Sequence, residues 1–379
     1  MIIVKEVTSR ALRKAFVTFP VKLYKNCPYF VPALYSDEMK EFNPKKNPNL
    51  EECEYFAFLA YKDGKIAGRI GVITNPPADR KFNTKRLRFR AFDVIDYFEV
   101  TKALFSKVLE VMERKGANDL EGPNGFTDCD KEGMLIEGFE RCNLFFTYYN
   151  YPYYRTHLEK LGFSKMVDWN EYCLNLPTEM DPRLEKIANL VMKKGYKVVK
   201  VKNHRELKPY IMPAFNVYNE AFAELYGTVP LNEKQVQYTL GEFLPLLNID
   251  YLSIIKGKND EVVGFAVVVP SLGKASKKCH GKLFPWGFIP FLRALRKNDT
   301  IDMLLIGVKP ELQGLGINGL LIYEILKTCI KHHIKYAETG PELEDNLKVQ
   351  SQWSRYDAPK VRKRRLFYIT KEDLKKNYE

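Results

Sequence analysis

Two stretches of this chain can be laid over one another, and that repeat constrains the fold more than any other feature. The first is Tyr55-Phe-Ala-Phe-Leu-Ala-Tyr-Lys-Asp63-Gly64-Lys-Ile-Ala-Gly68; the second is Tyr251-Leu-Ser-Ile-Ile-Lys-Gly-Lys-Asn259-Asp260-Glu-Val-Val-Gly264. The spacing from tyrosine to glycine is identical in both. Each stretch reads as an apolar strand, a polar two-residue turn and a second strand rich in β-branched residues, which is a hairpin pattern. Asp63-Gly64 suits a type I′ turn, whose two central residues both need positive φ.

The neighbours of the hairpins recur in the same order. Helical patterns precede each one, at Ala11–Tyr24 in the first half and at Pro213–Leu225 with Glu233–Leu244 in the second. A strand follows (Arg86–Ile95 or Ile301–Val308), then an amphipathic helix (Thr101–Lys115 or Leu320–His333) with apolar residues at three- and four-residue steps. Short strands at Asn118–Glu121 and Lys335–Glu338 come next. Each half closes on a helix and a strand, Tyr153–Leu161 with Lys165–Leu176 and Leu347–Arg355 with Arg364–Ile369. The turn-rich, twice-proline segment Asn175–Pro182 separates the series. The expected fold is α/β of the α+β type: two duplicated domains, 1–177 and 178–379, each a mixed, mostly antiparallel sheet flanked by helices.

A length of 379 residues is comfortable for two such cores. The seven cysteines are scattered with no CxxC, and none pairs with a histidine at zinc spacing, so reduced thiols in a cytoplasmic protein and no metal are expected. No apolar run approaches the roughly 18 residues of a membrane span, and the N-terminus reads as a first strand, so no membrane partner is expected. The formal charge of +13 is spread over many sites. Its densest cluster, Lys360-Val-Arg-Lys-Arg-Arg365, reads as a charged edge strand. Without aromatic interleaving or a known module, nucleic acid is not an expected partner.

The sharpest local signal is Ile301-Asp-Met-Leu-Leu-Ile-Gly-Val308-Lys-Pro-Glu-Leu-Gln313-Gly314-Leu315-Gly316-Ile-Asn318-Gly319. A strand runs into a loop, and glycines open a helix. The first N–H groups of a helix lack intrahelical partners, glycines let anionic oxygens approach them, and the helix dipole favours negative charge. Gly314-x-Gly316-x-x-Gly319 also satisfies the dinucleotide fingerprint. Five residues separate strand from glycine, however, and hairpins rather than crossovers precede the loop. The context excludes that reading.

The same residues resemble the motif Gln/Arg-x-x-Gly-x-Gly/Ala of the GNAT superfamily of N-acyltransferases, with Gln313, Gly316 and then Asn318 where glycine or alanine is usual. Asn346 and Trp353 take two further positions of the superfamily pattern. Across its length the chain is similar to bacterial double-GNAT proteins, in Gly122-Pro123, Asp130, Glu137-Gly138-Phe139, Tyr218-Asn219-Glu220, Gly281-x-x-x-Pro285 and Glu344-x-Asn346. The resemblance implies an acyl-CoA site in the second half only, because the first half has acidic, bulky Asp93–Val100 in place of the glycine loop. Its pantetheine arm would pair with the strand through Ile306 and Val308. The pyrophosphate would sit on Gln313, Gly314, Leu315, Gly316, Asn318 and Gly319, with Asn346 and Trp353 beside them. Glu338, Glu220 and Glu344 are candidate bases, and Tyr356 is the candidate acid for the departing thiolate.

Implied, then, is transfer of an acyl group, most simply acetyl from acetyl-CoA or another acyl-CoA, to an amine on a small molecule or peptide. The insert Gly122–Gly133, absent from the second half, and the aromatic run Tyr148–Tyr154 are candidates for shaping the acceptor site. Two other functions fit the same resemblance: a non-catalytic acyl-CoA-binding module and a Fem-like transferase using aminoacyl-tRNA.

Overall fold

The computed structural model describes the backbone of all 379 residues and the side chains of all but Pro245, Ser354 and Arg355. Asp63 and Gly64 have φ of 51° and 79°, so the turn of the first hairpin takes the I′ geometry its sequence asks for. The first half supplies β1 (Ile2–Glu6), β2 (Tyr55–Lys62), β3 (Lys65–Thr74), β4 (Arg86–Val94), β5 (Asp119–Gly122), β6 (Met134–Glu137) and β7 (Ser164–Asn175). The second supplies β8 (Lys197–Val198), β9 (Leu252–Lys256), β10 (Val262–Pro270), β11 (Thr300–Val308), β12 (Tyr336–Thr339), β13 (Glu342–Leu343) and β14 (Lys360–Thr370).

All of them join one sheet, in the order β1-β2-β3-β4-β5-β14-β7-β12-β11-β10-β9-β8, with β13 and β6 paired off this path to β7 and β14. Among the described residues the parallel pairs are β4–β5 and β11–β12, and each is bridged by one long helix, Phe98–Lys115 or Ile317–Lys331. The duplication is therefore present in the fold. Both helices end up against the sheet for the same reason: each turns an apolar face inward, through Leu104, Phe105 and Val108 in one and Leu320, Leu321 and Ile325 in the other.

The halves are nonetheless interlocked. β14, from the end of the chain, pairs with β5 of the first half, and β7 of the first half pairs with β12 of the second. Each half's last strand completes the other half's sheet, with β7 and β14 lying side by side at the centre.

This position corrects the reading of Lys360–Arg365 as an edge. Arg362 and Arg364 are fully buried, and both donate from Nε to the equally buried Glu171 of β7. Arg364 also donates to the Tyr148 carbonyl and to Thr147 Oγ1. Arg365 grips Asp168 with two hydrogen bonds of 2.8 and 2.9 Å. Burial alone would raise the Glu171 and Asp168 carboxyls, but the facing cations outweigh it and hold both below the ordinary range, Asp168 at about 2. The charge is tolerated at the centre because cross-strand acids neutralise it there.

Candidate active site

β11 has a neighbour on each side for only part of its length. Against β10 it pairs from Ile301 to Val308, with a bulge that leaves Leu304 as an extra residue between Met303 and Leu305. Against β12 it pairs from Thr300 to Met303 and no further, because β12 ends at Thr339 and the chain turns away at Gly340-Pro341. A bulge increases local twist and bends a strand. Here it lies at the point where the strands part, and Leu304–Val308 are left with a backbone edge that no strand covers on that side.

An apolar cavity of about 360 Å³ occupies this splay. Met303, Leu304, Leu305 and Ile306 all line it, so it reaches both faces of the strand. Phe215 and Tyr218 of the helix His204–Ala221 and Leu240 and Phe243 of the helix Glu233–Phe243 wall one side, and Ile325, Trp353 and Tyr356 contribute to the rest.

Four residues of the cavity lining carry carboxyls: Glu342, Asp128, Glu132 and Asp130, the last of which accepts from the N–H groups of Phe126 and Thr127. Glu342 follows Pro341 at the splay, and its Oε1 accepts a 2.8 Å hydrogen bond from Trp353 Nε1 while Oε2 has no partner. Burial outweighs that bond and raises the carboxyl to about 7. Asp128, in the Gly122–Gly133 insert, accepts from the Tyr218 hydroxyl and at 3.4 Å from Thr228 Oγ1; burial raises it as well. Glu132, also pushed up by burial, to about 8, is the third. The insert of the first half thus reaches the cavity of the second.

Beyond Val308 the glycine loop opens the helix Ile317–Lys331. Gly314 and Gly316 have φ of 81° and 91°, and no side chain caps the helix at Gly316, so its first N–H groups lack a protein acceptor of that kind. The glycines also have a packing reason. A Cβ on Gly316 would lie 3.0 Å from Val191, and one on Gly319 would lie 3.0 Å from Ile187, both on the helix Pro182–Lys193. Sequence reading could not see that neighbour.

Of the residues singled out from sequence, Ile306, Asn346, Trp353 and Tyr356 share the lining of one cavity. Val308 is buried at the end of β11; Gln313, Gly314 and Leu315 are exposed on the loop, where Gln313 reaches back to the Val308 carbonyl at 3.4 Å. Asn318 donates to Gln352 Oε1 at 2.7 Å. Three of the acids lie elsewhere. Glu338 is ion-paired with Arg362, Glu220 is exposed on the last turn of its helix, and Glu344 pairs with Lys165 and Lys363 at the surface. Sequence reasoning missed Glu342; the signal available was its place between the end of β12 and Asn346.

The first half has the same splay, filled by its own chain. β4 pairs with β5 only over Arg86–Arg88, with a register shift near Ala91. Beyond it, Asn124 N–H donates to the Phe89 carbonyl at 2.9 Å, Val94 N–H donates to the Tyr154 hydroxyl at 2.8 Å, and the Tyr153 hydroxyl donates to the Val94 carbonyl at 2.7 Å. The aromatic run Tyr148–Tyr154 therefore plugs the first-half groove, with Tyr149 and Tyr154 packed into that half's own core.

No family model matches the chain. Among curated proteins, Protein YghO of Escherichia coli is 27% identical over 361 residues, covering 93% of this chain and 92% of that protein. Bacterial ceramide synthase of Caulobacter vibrioides is 23% identical over 325 residues, covering 83% of this chain and 82% of that one. Among solved structures, a tandem GNAT protein from the clavulanic acid biosynthesis pathway superposes with a TM-score of 0.57 at 11% identity, over 97% of this chain and 99% of its own. A GCN5-related N-acetyltransferase from Sphaerobacter thermophilus gives 0.53 at 10%, over 98% and 96%. With the duplicated hairpins, the paired splays and the glycine-opened helix already described, these likenesses identify the chain's architecture as the tandem GNAT fold.

Proposed function

We propose that the protein is a cytoplasmic acyl-CoA-dependent N-acyltransferase whose second half binds the donor, and whose donor or acceptor carries a long apolar chain. The observation that carries the reading is the cavity at the β11–β12 splay. Its volume falls in the range of small-molecule sites, roughly 300–1,000 Å³, and most of its lining is apolar. An acetyl group and a small amine would leave most of that surface without a partner. The likeness to a bacterial ceramide synthase supports the same substrate class, since a ceramide is the fatty amide of a long-chain amino alcohol.

The residues present fit an acyl-CoA. The free edge of Leu304–Val308 offers backbone groups to an extended amide-bearing arm, as in strand addition, and the helix start at Gly316 offers N–H groups to a pyrophosphate. Bound donor supplies a thioester carbonyl open to attack by an amine. A backbone N–H of the β11 edge is the oxyanion donor in this reading. In this reading Glu342 takes the amine proton, because a carboxyl in the cavity lining raised to about 7 is close to the optimum for a base at neutral pH. Tyr356, in the same cavity, is the group to return a proton to the thiolate.

The test is release of free CoA thiol from donors of increasing chain length, each with short amines and with long-chain amino alcohols. Turnover is expected to rise with chain length in at least one partner. Turnover confined to acetyl-CoA with short amines would remove the long-chain reading. Failure of every acyl-CoA to bind would remove the acyltransferase reading itself.

A further inference from the structure

Between β10 and β11 the chain makes a detour that its first-half counterpart does not. The connection runs over residues 271–299 here and over residues 75–85 in the first half. It forms two short helices, Gly273–Cys279 and Phe288–Arg296, joined by a turn. The detour is anchored from below. Phe291 is buried with Leu34, Leu246 and Leu272, Ser276 Oγ donates to the Pro32 carbonyl at 2.6 Å, and Tyr35 N–H donates to the Gly281 carbonyl at 2.9 Å. Gly281 lies so close to the Ala33 carbonyl that a Cβ would sit 2.1 Å from it. The turn is held in place, and what it presents outward is set by the backbone.

What it presents is apolar. Phe284 and Trp286 are 82% and 73% exposed, and Phe288 and Leu292 are 37% and 49% exposed. Scattered exposed apolar residues need no explanation, but four large ones within nine residues, with the Phe284 and Phe288 rings 6.5 Å apart and Phe288 and Leu292 one helical turn apart, mark an interaction surface. The surround is basic. Lys274, Lys278 and Lys282 are exposed on the first helix and the turn, and Arg293, Arg296 and Lys297 on the end of the second. Residues 271–298 contain seven Lys and Arg and no acidic residue, against a net +13 for the whole chain. Except for Lys274, which lies 3.8 Å from Asp299, none of these six has a carboxylate partner among the described residues.

We infer that this patch docks the protein on an anionic lipid bilayer surface, with Phe284, Trp286, Phe288 and Leu292 in the interface and the surrounding cations on lipid headgroups. Tryptophan and phenylalanine beside lysine and arginine are the composition that settles at the headgroup boundary, where rings find an apolar medium and cations find phosphates. The charge selects this occupant over a second copy of the chain, whose identical +7 patch would repel it. The attachment lies on the surface rather than across it, since no helix of the described residues is long and apolar enough to span a membrane. The site revises the expectation of no membrane partner and does not rest on the acyl-transfer reading. The two remain spatially connected, for Val267–Val269 of β10 line the cavity and lead directly into the detour.

The protein carries its own reporter. Of its three tryptophans, Trp169 and Trp353 are buried, so a change of medium registers at Trp286. The full chain is mixed with vesicles of phosphatidylcholine alone or with phosphatidylglycerol added, and followed by co-sedimentation and tryptophan emission. Binding and a blue shift are expected with the anionic vesicles only, both weakening as salt rises. Trp286→Phe should bind normally and lose the shift. Phe284→Ser with Trp286→Ser, and separately Lys278→Glu with Arg293→Glu, should weaken binding by about tenfold or more at unchanged melting temperature. Wild-type protein that stays in the supernatant with no emission change overturns the inference. So does a wild-type dimer that the double serine variant dissociates while vesicle binding is unaltered.

Discussion

Replacing Glu171 with glutamine tests the central strand pair at its most sensitive point. The change keeps shape and removes charge. In the wild type the two carboxylate oxygens each receive one guanidinium Nε, from Arg362 and Arg364, and all three side chains are fully buried. Glutamine presents one oxygen and one NH2 group, so at least one Nε–H loses its acceptor and faces another donor. Arg362 retains Glu338, but Arg364 retains only the Thr147 hydroxyl and the Tyr148 carbonyl. Breaking a buried pair by removing one partner costs about 3–5 kcal/mol, because an uncompensated charge remains inside. Unfolding entropy of about 2.1 cal/mol/K per residue over 379 residues gives about 0.8 kcal/mol/K. The expected loss is therefore about 4–6 °C by calorimetry. Glu137→Gln, which breaks only the exposed pair with Lys360, should change stability by about 0–1 kcal/mol. A Glu171→Gln loss below about 1 °C would refute the reasoning, for it would mean that water or relaxation compensates both arginines. Acid gives the same test without mutation. Glu171 and Asp168 are held below their ordinary values, so they add stability above about pH 4 that is lost as pH falls, for Asp168 through about pH 2.

Residues 178–379 alone lack β7, leaving β12 and β14 without their central neighbour, and are expected to show no cooperative melt; co-expression with residues 1–177 should restore a one-to-one complex, and a cooperative melt of the second half by itself would contradict the interlocked sheet. Gly316→Val combines a φ of 91° with a Cβ 3.0 Å from Val191, so thermal unfolding should show a destabilisation of about 1–3 kcal/mol, whatever it does to ligand binding. An unchanged melting temperature would show that the helix Pro182–Lys193 does not pack as described. Glu342→Gln should lower kcat and flatten the rise of rate with pH around 7, and an unaltered pH profile would assign the proton to another group.

The duplication was legible because hairpins, amphipathic helices and I′ turns are written in local periodicity; most elements lie within a few residues of their expected spans, but the helix expected at Pro213–Leu225 begins nine residues earlier, at His204. The exchange of β7 and β14 was not. A strand's pattern specifies which face is buried, not which of two equivalent neighbours it joins, and the acid that Arg362 and Arg364 share, Glu171, lies nearly two hundred residues upstream. For the same reason an alternation of lysine and arginine looked like an edge. The glycine loop was visible as a helix start, while its contact with Val191 and Ile187 depended on tertiary packing. Glu342 escaped notice because a lone carboxyl beside a proline carries no pattern until the cavity closes around it. The Phe284–Leu292 stretch, with its two prolines among aromatic residues, held a signal in plain sight, but only exposure separates such a stretch from core.

The crossed strands also set a clock on synthesis. β5 ends at Gly122, and the strand that must lie beside it is complete only at Thr370, 248 residues later. At about 5–20 residues per second, the first half emerges with its sheet edge open for roughly 12–50 s. In the native sheet that edge is covered by β14, so the first repeat's native sheet is completed only after the last strand has been made. A nascent chain stalled between residues 270 and 360 strands two unfinished sheets rather than one, and it is the completion of β14, not the end of the first repeat, that closes both.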